Sequence, residues 1–164
     1  MRLVATLLAL SMTTHFSATA QEVPVAQAAS AELSPVEAWE ADPSTVLDAA
    51  GVELDDFLWL ARPVVVFANT PNDPAFIQQM AFLRERPEAL VERDVVVIVD
   101  TDPEARSDVR QTLRPRGFML VLIGKDGQVE IRKPLPWNVR ELTRTIDKMP
   151  MRQQELREPV RPGG

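Results

Sequence analysis

The sequence predicts an α/β fold. Pro63 to Ala68 (PVVVFA), Val95 to Val99 (VVVIV) and Phe118 to Ile123 (FMLVLI) are continuous apolar runs rich in β-branched residues. Such runs suit strands buried on both faces of a sheet. The first two are separated by a segment with helical apolar spacing, which makes a βαβ unit with parallel strands. The third is followed by Gly124-Lys125-Asp126-Gly127, whose Asp-Gly pair signals a hairpin. A fourth strand, Gln128 to Lys133, therefore folds back antiparallel, with Val129 and Ile131 on one face and the other face exposed.

The elements follow in order. Residues 1–20 read as a secretory signal peptide: Arg2 supplies the positive end, Leu3 to Met12 the apolar stretch, and Ala18-Thr19-Ala20 the small-residue cleavage site. Cleavage after Ala20 sends the protein to the periplasm or outside the cell. Residues 21–45, rich in Ala, Pro, Glu and Val, read as a disordered leader with ordering near Trp39. The folded domain spans residues 46–158, and 159–164 form a flexible tail. Leu54 to Leu60 gives one or two helical turns leading into the first strand.

After that strand comes the turn Asn69-Thr70-Pro71-Asn72-Asp73. Asp73 before Pro74 is an N-cap followed by proline at the first helical position. Phe76, Ile77, Met80 and Leu83 form the buried stripe of this helix, which Pro87 ends. A short second turn covers Glu88 to Arg93. Glu104 to Leu113 is a helix with Val109 and Leu113 inward. Asn138 caps a last helix reaching Met149, with Val139, Leu142, Ile146 and Met149 as its stripe, and Met151 to Arg157 extend it.

Composition excludes several chemistries. The chain has 164 residues, 45% apolar and 26% charged, and no cysteine or tyrosine; its single histidine is His15, inside the predicted signal. Thiol redox chemistry, disulfides and zinc held by His and Cys are ruled out, and serine or threonine nucleophiles lack an imidazole base. The net charge of −6 becomes about −7 once Arg2 is removed, which disfavours nucleic acid. Only three residues are lysines, and the arginines are scattered, so no polybasic patch marks a membrane surface. No second apolar stretch is long enough to span a bilayer, so no stable insertion is expected after cleavage. No phosphate loop or dinucleotide fingerprint appears, and no cofactor is expected.

Two turns are candidate sites. Asn69 to Asp73 precedes a helix N-terminus, where free amides and the helix dipole favour an anion or a peptide backbone. The alternative is that Asn72 and Asp73 only close the turn and cap the helix, a role worth ~1 kcal/mol. Asp100-Thr101-Asp102-Pro103-Glu104 clusters oxygens, but calcium loops of the EF-hand type need glycine sixth and glutamate twelfth. Counting from Asp100, those positions hold Ala105 and Gln111, so no metal site is expected there. The Met149-Pro150-Met151 corner offers two thioethers and no third soft ligand, so it reads as packing.

The segment Arg116-Gly117-Phe118-Met119, its apolar strand and Lys125-Asp126-Gly127-Gln128-Val129 resembles the corresponding thioredoxin segment, and Val95 to Asp100 resembles thioredoxin's central strand. The resemblance covers roughly residues 60–149. It implies a thioredoxin-like three-layer sandwich, with a central four-stranded mixed sheet flanked by helices. Leu122 to Gly127 (LIGKDG), Ile146 to Arg152 (IDKMPMR) and Arg93-Asp94 are similar, more closely, to an uncharacterised family of secreted bacterial proteins related to an extracellular module of sushi-repeat proteins. Against thioredoxin itself, Pro71 to Pro74 stand where the reactive cysteines would lie, and Met119 where a cis-proline would lie. The resemblance brings Arg116 near the turn. It thus implies a non-redox module whose ligand-binding residues are Asn69, Thr70, Asn72, Asp73, Arg116 and Met119. The expected ligand is a peptide, a protein or a small molecule. The alternatives are a carboxylate- or metal-dependent enzyme of the cell envelope and an envelope assembly protein.

Overall fold

The computed structural model describes residues 33–158. The predicted signal segment, most of the expected leader and the expected tail lie outside them. The elements run α1 Pro35–Ala41, β1 Val46–Asp48, a 3₁₀ turn Leu54–Phe57, β2 Arg62–Phe67, α2 Pro74–Glu85, α3 Pro87–Val91, β3 Val95–Asp100, α4 Asp108–Leu113, β4 Met119–Ile123, β5 Val129–Lys133, α5 Val139–Ile146 and α6 Pro150–Arg157. The strands form one mixed sheet in the order β1-β3-β2-β4-β5. β3 runs parallel to both β1 and β2, and β4 runs antiparallel to β2 and β5.

The four expected strands are all present, and β1 adds a fifth at the edge beside β3. It is only three residues long, with Leu47 alone buried, too short to show a period. Order also begins earlier than the expected domain start at residue 46. Ser34 and Glu37 form a reciprocal capping box: the Ser34 amide donates to the Glu37 carboxylate at 2.8 Å, and the Glu37 amide donates to Ser34 Oγ at 3.3 Å. The helix so started buries Trp39 edge-to-face against Phe57, with ring centroids 6.4 Å apart.

Alternation along the central strands divides the core in two. Val65 and Phe67 of β2 pack on one side with Trp39, Phe57, Ile98 and Leu113. Val64 and Val66 pack on the other with Met80, Leu83, Leu142 and Ile146. Helices therefore cover both faces in three layers. All six residues of β2 are buried, Arg62 among them.

Three helices differ from the sequence reading. In α2 the buried stripe is Gln79, Met80 and Leu83, with Phe76 half-buried, whereas Ile77 is 55% exposed. Positions 76, 79, 80 and 83 make one face at i, i+3, i+4 and i+7, and Ile77 lies about 100° from Phe76 around the axis. Helix α4 begins at Asp108, not at Glu104. Ser107 caps it by accepting from the Arg110 amide, and the Asp102 side chain accepts from the Glu104 amide at 2.9 Å, holding the preceding residues as a turn. The last helix is also split: α5 stops at Ile146, and α6 starts afresh at Pro150.

Candidate functional site

The strand β2 delivers the chain to the turn. Phe67 pairs with Met119 across the antiparallel β2–β4 ladder, so Asn69, two residues beyond, leaves the sheet at the same end as Met119. Arg116 and Gly117 precede Met119, and Gly117 has φ +66, a left-handed conformation that glycine adopts without strain. Asn69, Thr70, Asn72 and Arg116 are exposed, while Asp73 and Met119 are half-buried. The structure thus gathers all six residues at one end of the sheet. Among the described residues, no hydrogen bond or ion pair joins Arg116 to the turn.

The turn satisfies much of its own backbone. The Asn72 amide donates to Thr70 Oγ1 at 3.3 Å, and the Asp73 amide donates to the Thr70 carbonyl at 3.2 Å. Asp73 Oδ1 accepts from the amides of Ala75 (2.8 Å) and Phe76 (3.4 Å). Two first-turn donors of α2 are therefore already occupied by a carboxylate, and an incoming anion has to compete with it. What the turn offers outward is the neutral polar set Asn69, Thr70 and Asn72, whereas the Met119 thioether lies 3.8 Å from Arg132 Nη1 of β5.

The platform under this site was not legible in advance. Arg110 of α4 reaches back to Asp100 at the end of β3, with Nε at 3.0 Å and Nη2 at 2.6 Å from Oδ1. Its Nη2 also donates to the Ala68 carbonyl at 2.9 Å, and its guanidinium lies 5.3 Å from the Phe67 ring centroid. Ser107 Oγ donates to the second Asp100 oxygen at 2.6 Å. One arginine thus ties together the ends of β2 and β3 just before the turn. Asp100 and Arg110 lie ten residues apart, and nothing in their spacing marks them as a pair.

Asp100 also borders a cavity of about 310 Å³ with Asp48, Asp102 and Asp108. Its carboxylate is spent on Arg110 and Ser107, and among the described residues no three acidic side chains gather to hold a metal ion. No helix among the described residues is long and apolar enough to cross a membrane.

A second charged cluster lies where β2 begins. Arg62 is 1% exposed and donates to the Arg93 carbonyl at 2.9 Å and to Glu155 at 2.7 Å. Lys125 reaches Asp94 at 2.8 Å and Glu155 at 3.4 Å. Arg152 contacts Glu155 at 3.2 Å, and Arg93 grips Asp147 with two prongs at 2.8 and 2.9 Å. Burial pushes the Glu155 carboxyl up, but hydrogen bonds from Arg62 and Arg152, with the charges of Arg62 and Lys125, outweigh it and hold the group below its ordinary value. The motifs Arg93-Asp94, LIGKDG and IDKMPMR therefore meet in this cluster through Arg93, Asp94, Lys125, Asp147 and Arg152. Their common part is to fasten α5 and α6 to the sheet.

The layers, strand order and turn define a thioredoxin-like α/β domain, here without a thiol. The chain belongs to the family described as a domain of unknown function, DUF4174, whose model matches residues 53–155. Among solved structures it is similar to Plasmodium vivax 2-Cys peroxiredoxin in its reduced form, at 14% identity and a TM-score of 0.52, covering 63% of this chain and 85% of that one. It is also similar to Plasmodium yoelii thioredoxin peroxidase I, at 19% identity and a TM-score of 0.46, covering 68% and 84%. At such identity the peroxiredoxin likeness shows the fold alone. No curated protein matches the chain.

Proposed function

We propose that this protein is a periplasmic or secreted binding module without redox chemistry of its own. Its ligand, a peptide, a protein surface or a small molecule, meets Asn69, Thr70, Asn72, Asp73, Arg116 and Met119. One observation supports the reading above others: the Phe67–Met119 pairing puts the exposed polar turn, Arg116 and the half-buried Met119 at one end of the sheet, in a chain with no cysteine. Secretion, and kinship with the sushi-repeat module, rest on the N-terminal segment and the motifs. The test is a titration of the purified chain with small anions and a peptide array, repeated with Thr70→Ala, Asn72→Ala and Arg116→Ala. Binding weakened about tenfold by any of these supports the site; binding indifferent to all three overturns it. Cell fractionation checks the compartment.

An enzyme of the envelope acting through carboxylates is the other reading. Its support is the acid-lined cavity beside Asp100. Hydrolytic or transfer activity abolished by Asp102→Asn and Asp48→Asn, with the turn variants unaffected, would favour it.

A further inference from the structure

The face of the sheet opposite α2 carries a groove of about 430 Å³ between the 3₁₀ turn and α4. That volume falls within the ~300–1,000 Å³ of ordinary ligand pockets. It opens because this face is covered by short elements: the 3₁₀ turn has four residues and α4 has six. The floor is apolar, with Leu58, Val109, Leu113, Ile123 and Val129. The border is acidic, with Glu53, Asp55 and Asp108 all exposed. Among the described residues none of these three carboxylates takes part in an ion pair, although Asp94, Asp100, Asp147 and Glu155 all do. Like charges around an apolar slot oppose one another, and an incoming cation relieves that.

A second observation stands beside the groove. Trp59 follows Leu58 and is 68% exposed at φ +64. A left-handed conformation is an outlier for so bulky a residue. It is held there by its amide, which donates to the Lys125 carbonyl at 2.7 Å, next to the groove residue Gly124. The neighbouring Leu60 is 42% exposed. A strained backbone thus exposes an indole and a leucine directly after the groove residue Leu58, with the Trp59 amide bonded next to groove residue Gly124. Indole faces attract Lys and Arg, and carboxylates pair with them across an interface.

We propose that this groove is a docking site for a basic, apolar segment of a partner protein. An aliphatic side chain enters the slot, and flanking Lys or Arg residues meet Glu53, Asp55, Asp108 and the Trp59 ring. The site is separate from the turn at Asn69–Asp73 and does not depend on it.

The probe is a set of fluorescent heptapeptides alternating Leu or Val with Lys or Arg, against a matched set with Glu for the basic residues. Anisotropy should show micromolar binding of the basic set, weakening as salt rises, and none of the acidic set. The combined variant Glu53→Gln, Asp55→Asn and Asp108→Asn should lose at least about tenfold in affinity. These side chains are exposed, so the fold should persist, and circular dichroism checks it. Trp59→Ala should weaken the same peptides, while Thr70→Ala and Asn72→Ala should leave them unchanged. Equal binding of both peptide sets, full retention by the combined variant, or equal competition by spermidine at matched charge would overturn the proposal.

Discussion

Gln79 of α2 and Trp137, 58 residues later, exchange two hydrogen bonds: the Gln79 amide nitrogen donates to the Trp137 carbonyl at 3.0 Å, and the Trp137 amide donates to Gln79 Oε1 at 2.7 Å. Gln79 is fully buried. A primary amide is the side chain that can both give and accept at one backbone unit, so the pair fixes the chain entering α5 against α2. Gln79→Leu leaves both main-chain groups without a partner and should cost about 2–4 kcal/mol in urea unfolding. Ile77→Gln, on the exposed side of the same helix, should change stability by no more than about 0.5 kcal/mol.

The cluster around Glu155 predicts a pH dependence. Its carboxyl is held below its ordinary value in the folded protein, so the unfolded chain binds the proton more readily. The resulting stabilisation is present above the unfolded value near 4.5 and is lost as pH falls through the lower, folded value. At neutral pH, Glu155→Gln should be less stable than the wild type by roughly 1–3 kcal/mol. Urea midpoints of the two proteins should converge as the pH is taken from 6 toward about 3.

Asp100 and Arg110 hold the ends of two strands. Asp100→Asn keeps the shape and removes the charge that the Arg110 guanidinium faces, at a cost of roughly 3 kcal/mol. Arg110→Lys should fare little better, since an ammonium cannot reproduce a fork that bonds Asp100 and Ala68 together. In both variants, amide hydrogen exchange over residues 68–73 should speed up more than exchange at β4.

Gly127 has φ +78, and a Cβ there would lie 2.8 Å from Leu58 Cδ2. The leucine tip can rotate aside, so the backbone conformation sets most of the cost. Gly127→Ala should lower stability by about 1–2 kcal/mol. The displaced Leu58 should also weaken the basic heptapeptides, a readout separate from unfolding.

The sheet was legible because its strands carry their burial in composition: PVVVFA and VVVIV admit few other structures. The hairpin was legible from Asp126-Gly127, and the start of α2 from Asp73-Pro74. Harder to see were elements whose stability is tertiary. The strand β1 borrows its order from β3, and Gln79 is buried for a partner distant in sequence. Ser34 and Glu37 did carry a local signal, the capping box, but it sat inside a stretch whose composition resembled a linker. The six candidate residues were grouped through the thioredoxin resemblance, whereas Arg110, which ties Ala68 to Asp100 just before the turn, needed the fold. The groove between the 3₁₀ turn and α4 brings together Glu53, Asp55 and Asp108, which lie far apart in the sequence.

The guanidinium of Arg62 enters the chain early and is sealed between the sheet and the last helix. Its carboxylate partner arrives 93 residues later. Until that residue leaves the ribosome, the buried charge has only the looser contact with Asp94, 4.0 Å away and 43% exposed, against its desolvation. Synthesis from the amino end therefore leaves this end of the sheet incompletely paired until α6 is available. A fragment ending at α5 would retain every strand and Asp94, and would lack the close 2.7 Å contact of Glu155 with the first residue of β2.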